Sequence, residues 1–515
     1  MNLERWSIEF VNQTQDFCAP LGKTEGVAFG FRSKEQREVV LETLQTKDRV
    51  YAIRGCAGAG KTSCLTEVRK GLEASGRTAY YLAPTAAAVE VLRRDGFTHA
   101  TTVDDFLTNQ ADKADLRGSV IIIDESSLQS IKMGASLLRI AQTRDTRVLL
   151  VGDIRQHVSV EAGDFLRILE QHSRLGKSEL KDIRRQQVEE YNAAIRTMAR
   201  GDALGGIEQL NALGWVQEGR GCYVAQAAEA YFEATAGGKE LDRCIAISPT
   251  WEEHGRFTQA IREGLKERKV LGHGTAVTVH EQLDWTVDQK SDAANYRRGM
   301  VVTFNARIGS IQRGQTLAVE RAVAGRLWLD GHDRPIDIAK YAAKVTVSLS
   351  RVIEICPGEK ILIRRNHREA GLVNGQVLTV TRLCTDGTLE TREGKLVPSG
   401  FRHFCHGYVV TSHKAQGRTH DQVVIAAEQL DPKAAYVACS RGRHQARIFT
   451  PEKAHLLEGL ERLSDRLAAS DVIGTSRTAY WRHSENLARQ RAAHEATMFH
   501  AVLDRPRDLG IEMDH

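Results

Sequence analysis

No apolar run in this chain reaches 18 residues, and the N-terminal "MNLERWSIEF" has no hydrophobic signal core. A membrane-spanning helix needs about 20 such residues. The sequence therefore reads as neither secreted nor membrane-spanning, with no membrane partner and a cytoplasmic setting expected. Nine cysteines are present, but they form no C-x-x-C pair and no zinc-like spacing. They read as reduced thiols, not as a disulfide or metal framework. No internal repeat or low-complexity tract interrupts the 515 residues. A large charge excess is also missing. The net charge of +5 admits a nucleic-acid partner without arguing for one. What remains, 42% hydrophobic and 27% charged, is ordinary for globular domains, and the length calls for about two to four of them.

Apolar runs alternate with amphipathic helical patterns. Residues 1–30 carry no clear period and read as an N-terminal extension. "SKEQREVVLETLQ" has the spacing of an amphipathic helix with Ser33 as N-cap. "RVYAIRG" (49–55), "TAYYLAP" (78–84), "SVIIIDE" (119–125) and "RVLLVGD" (147–153) read as buried strands. Helices start at Lys61 and at "TAAAVEVLRR". This alternation indicates an α/β fold with a parallel sheet covered by helices. "RCIAISPT" (243–250) opens a second set, which resumes at "GYVVTSHKAQG" and "QVVIAAE". In between come short strands and Gly-rich turns ("CTDGT", "LVNGQ", "REGK"), the pattern of one or two small β-barrels. The expected division is an extension at 1–30, a first α/β domain at 31–235, a second at 236–279 and 401–450, a β-rich insertion at 280–400, and a helical, Arg-rich tail at 451–515.

"GCAGAGKTS" fits the P-loop pattern, Gly55-x-x-x-x-Gly60-Lys61-Thr62, and it lies between a strand and a helix. Glycine lets backbone N–H groups from Gly55 through Ala57, Gly58, Ala59 and Gly60 to Ser63 converge on one concavity. There the helix N-terminus adds positive potential. Lys61 would reach the β/γ-phosphates of ATP, and Thr62 would hold Mg²⁺. The bland alternative is a Gly-rich turn with an exposed lysine. "VIIIDES" supplies the acidic complement: Asp124 at a strand end for Mg²⁺, and Glu125 to orient or deprotonate the attacking water. Such a pair elsewhere is often a plain helix cap. In "VGDIRQH", Gln156 can both donate and accept a hydrogen bond, so it can report on a γ-phosphate; otherwise it is a polar loop residue.

In order, Gln36, the P-loop, "APTAAAVEVL", "IIIDESS", "LLVGDIRQHVSVEAGDF", "LKDIRRQ", "GYVVTSHKAQGRTHDQVVI" and "YVACSRGR" resemble superfamily 1 helicases. They are most similar to the RecD-like branch that includes the helicase portion of TraI-type conjugative relaxase–helicases. Further matches are "SPTWEEHGRFTQAIREGL", "NYRRGMVVTF" and "GEKILIRRN...GLVNGQ". The resemblance spans roughly residues 30–450. It implies two RecA-like domains with ATP between them, an SH3-like β-barrel insertion in the second, and 5′→3′ movement on single-stranded DNA. It implies that Gln36 reads adenine, although Ser33 and Gln36 also make a capping box. Arg185 and Arg441 would be arginine fingers, with Arg184 adjacent to the first. Pro84, Thr85, Thr250, Thr411 and His413 would line the DNA track, and Gln416 and Gly417 would link that track to the nucleotide. Alone, these would more often be turn or cap residues. Arg364, Arg365, His367 and Arg368 in the insertion suit backbone phosphates or else a solvated face.

Three positions depart from the family pattern: Asp104 where histidine is usual, His157 where an apolar residue is usual, and Ser126 where alanine is common. No clustered H-x-H metal motif is present, so the expectation is a helicase portion without a relaxase. The expected function is an ATP-dependent helicase acting on single-stranded and tailed duplex DNA, with a relaxase or other DNA-processing protein as partner. Two alternatives stand beside it: a DNA-stimulated ATPase that remodels nucleoprotein, and a non-catalytic DNA-binding scaffold. The scaffold would have lost Lys61, Asp124, Glu125 or the arginines, and all are present.

Overall fold

The computed structural model describes residues 2–110, 115–157 and 163–461. Its centre is two parallel sheets. The first orders its strands Thr101–Thr102, Ala79–Ala83, Val120–Ile123, Arg147–Gly152, Val50–Gly55 and Gly176–Leu180. The second runs Val409–Val410, Cys244–Ile247, His420–Ala426, Gly442–Thr450 and Val216–Glu218. Every residue of Val120–Ile123, Arg147–Gly152 and Cys244–Ile247 is buried. Burial on both faces is why these segments read as unbroken apolar runs and not as alternating ones. The strand and helix readings drawn from these motifs hold. The first sheet carries the P-loop strand between Arg147–Gly152 and Gly176–Leu180. In open α/β sheets, ligands bind beyond the carboxyl ends of such strands.

Two expectations change. Residues 1–30 are not simply an extension. Asn2–Gln13 is a helix that puts Ile8, Phe10 and Val11 into the first core, against helices Ile131–Thr143 and Phe165–His172. Trp6 stacks on Phe10 at 5.5 Å. Residues 189–234, assigned to the first domain, pack instead on the second sheet. Tyr191, Ile195 and Ile207 share a core with Val423, Ile425 and Ala446. Val216–Glu218 pairs with the edge of Gly442–Thr450. An amphipathic helix shows the same period whichever sheet it covers, so the pattern could not locate this boundary.

The insertion is antiparallel throughout. A six-stranded sheet uses strands between Thr275 and Ile355, and a five-stranded sheet uses strands between Lys360 and His406. Glu359, fully buried, ties it to the second unit: it accepts from Arg262 Nε (3.1 Å) and from Tyr408 Oη (2.8 Å). Of the expected tail, Lys453–Glu461 is helical, and residues 462–515 lie outside the described residues. All nine cysteines are free thiols. Among the described residues, no helix is long and apolar enough to cross a membrane.

Phe10→Ala tests the N-terminal helix. Emptying this buried site should cost about 3 kcal/mol in the denaturant unfolding of the first unit. A dispensable extension would lose less than about 0.5 kcal/mol.

Candidate active site

The P-loop follows strand Val50–Gly55 and ends in helix Lys61–Ala74. Gly58 and Gly60 hold φ of +83° and +91°, the left-handed region where a side chain is strained. Space forbids one as well. A Cβ at Gly58 would lie 2.6 Å from Arg185 Cβ, and one at Gly60 would lie 2.6 Å from the Gln36 amide. Ala57 and Ala59 turn their methyls into the cores, leaving backbone toward the loop. Lys61 Nζ donates to the Gly55 carbonyl at 2.7 Å, and Ser63 follows Thr62 on the first helical turn. Gln36 is buried beside Gly60. Its N–H donates to Ser33 Oγ (3.1 Å), but its side-chain oxygen accepts from Arg32 N–H (3.3 Å) and not from that of Ser33. The expected capping box is thus half formed, with the reciprocal bond one residue earlier.

Across the concavity lie Asp124 and Glu125, at the end of Val120–Ile123. Burial, and then the charge of Glu125, pushes the Asp124 carboxyl up to about 7, while Lys61 pulls the other way. Two hard oxygen donors, the Thr62 hydroxyl and a carboxylate penalised for its own charge, fit a Mg²⁺ that is completed by phosphate oxygens. Glu125 holds φ +51°, a strained value for a non-glycine residue. Its Oε2 accepts from Gln416 Nε2 at 3.0 Å, a bond between residues of the two units. Gln156 Nε2 donates to Asp153 Oδ2 (3.2 Å). Gln156 Oε1 and Gln416 Oε1 are buried acceptors with no partner among the described residues.

Arg185 and Arg441 enter the same cleft, which Gly417 also lines. Arg185 donates to the Ser440 carbonyl (2.8 Å). Arg441, 2% exposed, donates to the Val437 carbonyl (2.8 Å) and to Ser440 Oγ (2.7 Å). Neither makes an ion pair among the described residues. Burial lowers both guanidiniums from their ordinary range, and for Arg185 the charge of Arg441 adds to this. Arg184 instead points outward to the Arg32 carbonyl (3.1 Å), which separates the two adjacent arginines. Tyr436, inside "YVACSRGR", also reaches the P-loop. Tyr436 Oη accepts from the Ala57 N–H (2.8 Å) and donates to Asp153 Oδ2 (2.9 Å). A tyrosine inside "YVACSRGR" reads as core, and only the fold shows its hydroxyl against the P-loop.

A family described as AAA domain matches residues 32–221. The chain is 23% identical to a probable conjugal transfer protein TraA of Sinorhizobium fredii (strain NBRC 101917 / NGR234), over 90% of this chain and 37% of that relative. It is 24% identical to the multifunctional conjugation protein TraI of Escherichia coli (strain K12), over 85% of this chain and 28% of that protein. The chain is therefore similar over most of its length to part of these conjugation proteins. It spans well under half the length of these relatives. Among solved structures, Bacteroides Pif1 bound to ssDNA matches at 15% identity and a TM-score of 0.48, over 84% of this chain and 95% of that one.

The residues expected along a DNA track divide in two. Thr85 and Thr250 are helix N-caps. Thr85 Oγ1 accepts from Ala88 N–H (3.2 Å), and Thr250 forms a complete capping box with Glu253. Pro84 ends the strand before the first of these caps. Thr411 heads helix Ser412–Ala415 without a side-chain cap bond. His413 stacks on His157 at 3.6 Å, so the unusual histidine meets a track candidate from the other unit. Ser126, another departure, is buried and donates to the Val151 carbonyl (2.9 Å). Asp104 lies exposed in the turn Val103–Asp105. The four basic insertion residues do not act as one cluster. Arg364 is half-buried against the Trp251 ring, Arg365 is half-buried beside His403, His367 caps its own turn by accepting from Ala370 N–H (3.2 Å), and Arg368 is exposed.

The Asp124 shift gives a pH prediction. A carboxyl raised in the fold destabilises it once ionised, so the penalty accrues from the ordinary 3.8 up to about 7 and stays above that. In melts without nucleotide or Mg²⁺, Asp124→Asn should gain stability over the parent at about pH 8 but not at about pH 4. A pH-independent difference would contradict it.

Proposed function

We propose that this chain is an ATP-hydrolysing motor that moves 5′→3′ along single-stranded DNA and separates tailed duplexes. The observation that carries the reading is the cleft itself. The P-loop, Asp124 and Glu125 of the first unit share it with Arg441 and Gly417 of the second, and Gln416 spans to Glu125.

In this reading the loop amides and Lys61 hold the β/γ-phosphates, and Gln36 packs at the adenine end. Thr62 and Asp124 would hold the Mg²⁺ that accompanies ATP, which would supply Lewis-acid neutralisation of phosphate charge. Glu125 accepts the proton of the attacking water. The unpartnered amide oxygens of Gln156 and Gln416 are acceptors placed to orient that water. Arg185 and Arg441 spread fixed positive charge over the transferring oxygens. Gln416 lies in the segment that carries Thr411 and His413, so changes at Glu125 pass toward the DNA face through one hydrogen bond. The direction is supported by the RecD-like motif order. A role in conjugation follows the names of the TraA and TraI relatives, and a relaxase partner and a cytoplasmic setting belong to the same proposal. An SH3-like barrel is the matching reading of the insertion.

Lys61→Ala should abolish ATP turnover in a folded protein. Glu125→Gln should bind ATP and stall, because the phosphate cradle remains while water activation is lost. Duplexes with a 5′ tail should unwind, and those with only a 3′ tail should not. Unwinding from 3′ tails alone would overturn the direction. Wild-type turnover in Lys61→Ala would overturn the motor. Turnover on single strands without strand separation would leave a remodelling ATPase.

A further inference from the structure

We propose that Trp251 is a base-stacking platform for single-stranded DNA, flanked by Arg364 and Lys414 as phosphate contacts. The proposal rests on the single-strand reading above and names a contact which that reading does not contain.

Trp251 opens helix Trp251–Glu267, immediately after the Thr250 cap. The capping box fixes the helix start, and the indole is nevertheless 39% exposed, unusual for a large apolar side chain with a core beside it. His254 meets it edge-on at 4.8 Å and is itself anchored to the Val409 carbonyl (2.7 Å), which sets the ring's orientation. Two cations reach it from other elements. The Arg364 guanidinium lies 3.9 Å from the ring centroid, and Lys414 Nζ lies 5.4 Å from it. Arg364 follows strand Lys360–Ile363 of the insertion, and Lys414 sits next to His413 in helix Ser412–Ala415.

These cations are not neutralised. Neither has a carboxylate within ion-pair distance among the described residues. Arg364 Nη1 is buried with no hydrogen-bond partner. Burial, and then the charge of Arg364, pulls the Lys414 ammonium down to about 8. Indole contact offsets a bare charge only in part. An anion between the two would relieve their repulsion and satisfy the orphaned donor. An aromatic face beside unpaired cations is the combination that holds a single strand: the ring stacks a base of any identity, and the cations take the flanking phosphates. A free phosphate would use the cations alone. A base-bearing strand uses all three groups.

Binding of the full chain to a labelled thymidine oligonucleotide and to an abasic backbone of equal length separates these roles. Trp251→Ala should weaken the thymidine strand about 5- to 100-fold and leave the abasic strand within about 2-fold, while Trp251→Phe stays near the parent on both. Equal weakening on both strands would reduce Trp251 to a support for the cations and overturn the proposal, as would unchanged thymidine binding in Trp251→Ala. If the parent chain bound neither strand, the single-strand reading would fall and this site with it.

Discussion

A buried cleft that cannot neutralise its own charges governs the rest of this molecule. Arg185 and Arg441 lie in it without an ion pair among the described residues, and Asp124 and Glu125 face the same space, with burial penalising the charge of Asp124. Opposite signs are present but held apart. Bringing them together as salt bridges would leave no site, and leaving them apart costs stability unless something charged joins them. A nucleoside triphosphate with its cation has the right distribution: anionic oxygens for the arginines, a divalent ion for the acids.

Keeping the arginines in place is the task of the segment between the sheets. Residues 183–187 stitch the P-loop to the second unit. Arg184 N–H donates to the Gly58 carbonyl, Gln186 Nε2 donates to the Ser440 and Gly442 carbonyls, and Gln187 N–H donates to the Arg443 carbonyl. Tyr436 adds a second stitch, from Ala57 to Asp153. Movement of one sheet against the other would therefore pass through the P-loop backbone at Ala57 and Gly58. The insertion is bound to this movement at both ends. The Arg262–Glu359–Tyr408 network anchors it to the second unit, while Gln376 Nε2 donates to Glu90 Oε1 of the first at 2.9 Å. On the proposed reading, the nucleotide cleft and the DNA face would be joined by contacts of ordinary hydrogen-bond length.

The sequence disclosed what chemistry dictates locally. The P-loop glycines, the acidic pair at a strand end and the fully buried strands announce themselves because backbone conformation and burial leave little choice of residue. Placement across the fold was less legible. Arg184 and Arg185 are identical as letters, and only the Gly58 contact shows which faces the cleft. Thr250 looked like a track residue, but its hydroxyl is committed to Glu253, a local competition that a capping pattern had already allowed. Tyr436 carries no sign of its cross-unit hydroxyl. The helix Asn2–Gln13 is a different case: its apolar residues Ile8, Phe10 and Val11 are too few over one short segment to stand out from the aperiodic stretch around them.

The account's central claim is that charges from the two units act on one phosphoryl group. The most direct test is DNA-stimulated ATP turnover by Arg441→Ala and Arg441→Lys, measured beside nucleotide affinity. The account predicts that kcat falls by about 10³ or more in Arg441→Ala while affinity changes less than about 10-fold, with little rescue by lysine, because an ammonium cannot reproduce the planar fork. A nearly normal kcat in Arg441→Ala would place that arginine outside the reaction and contradict the shared cleft.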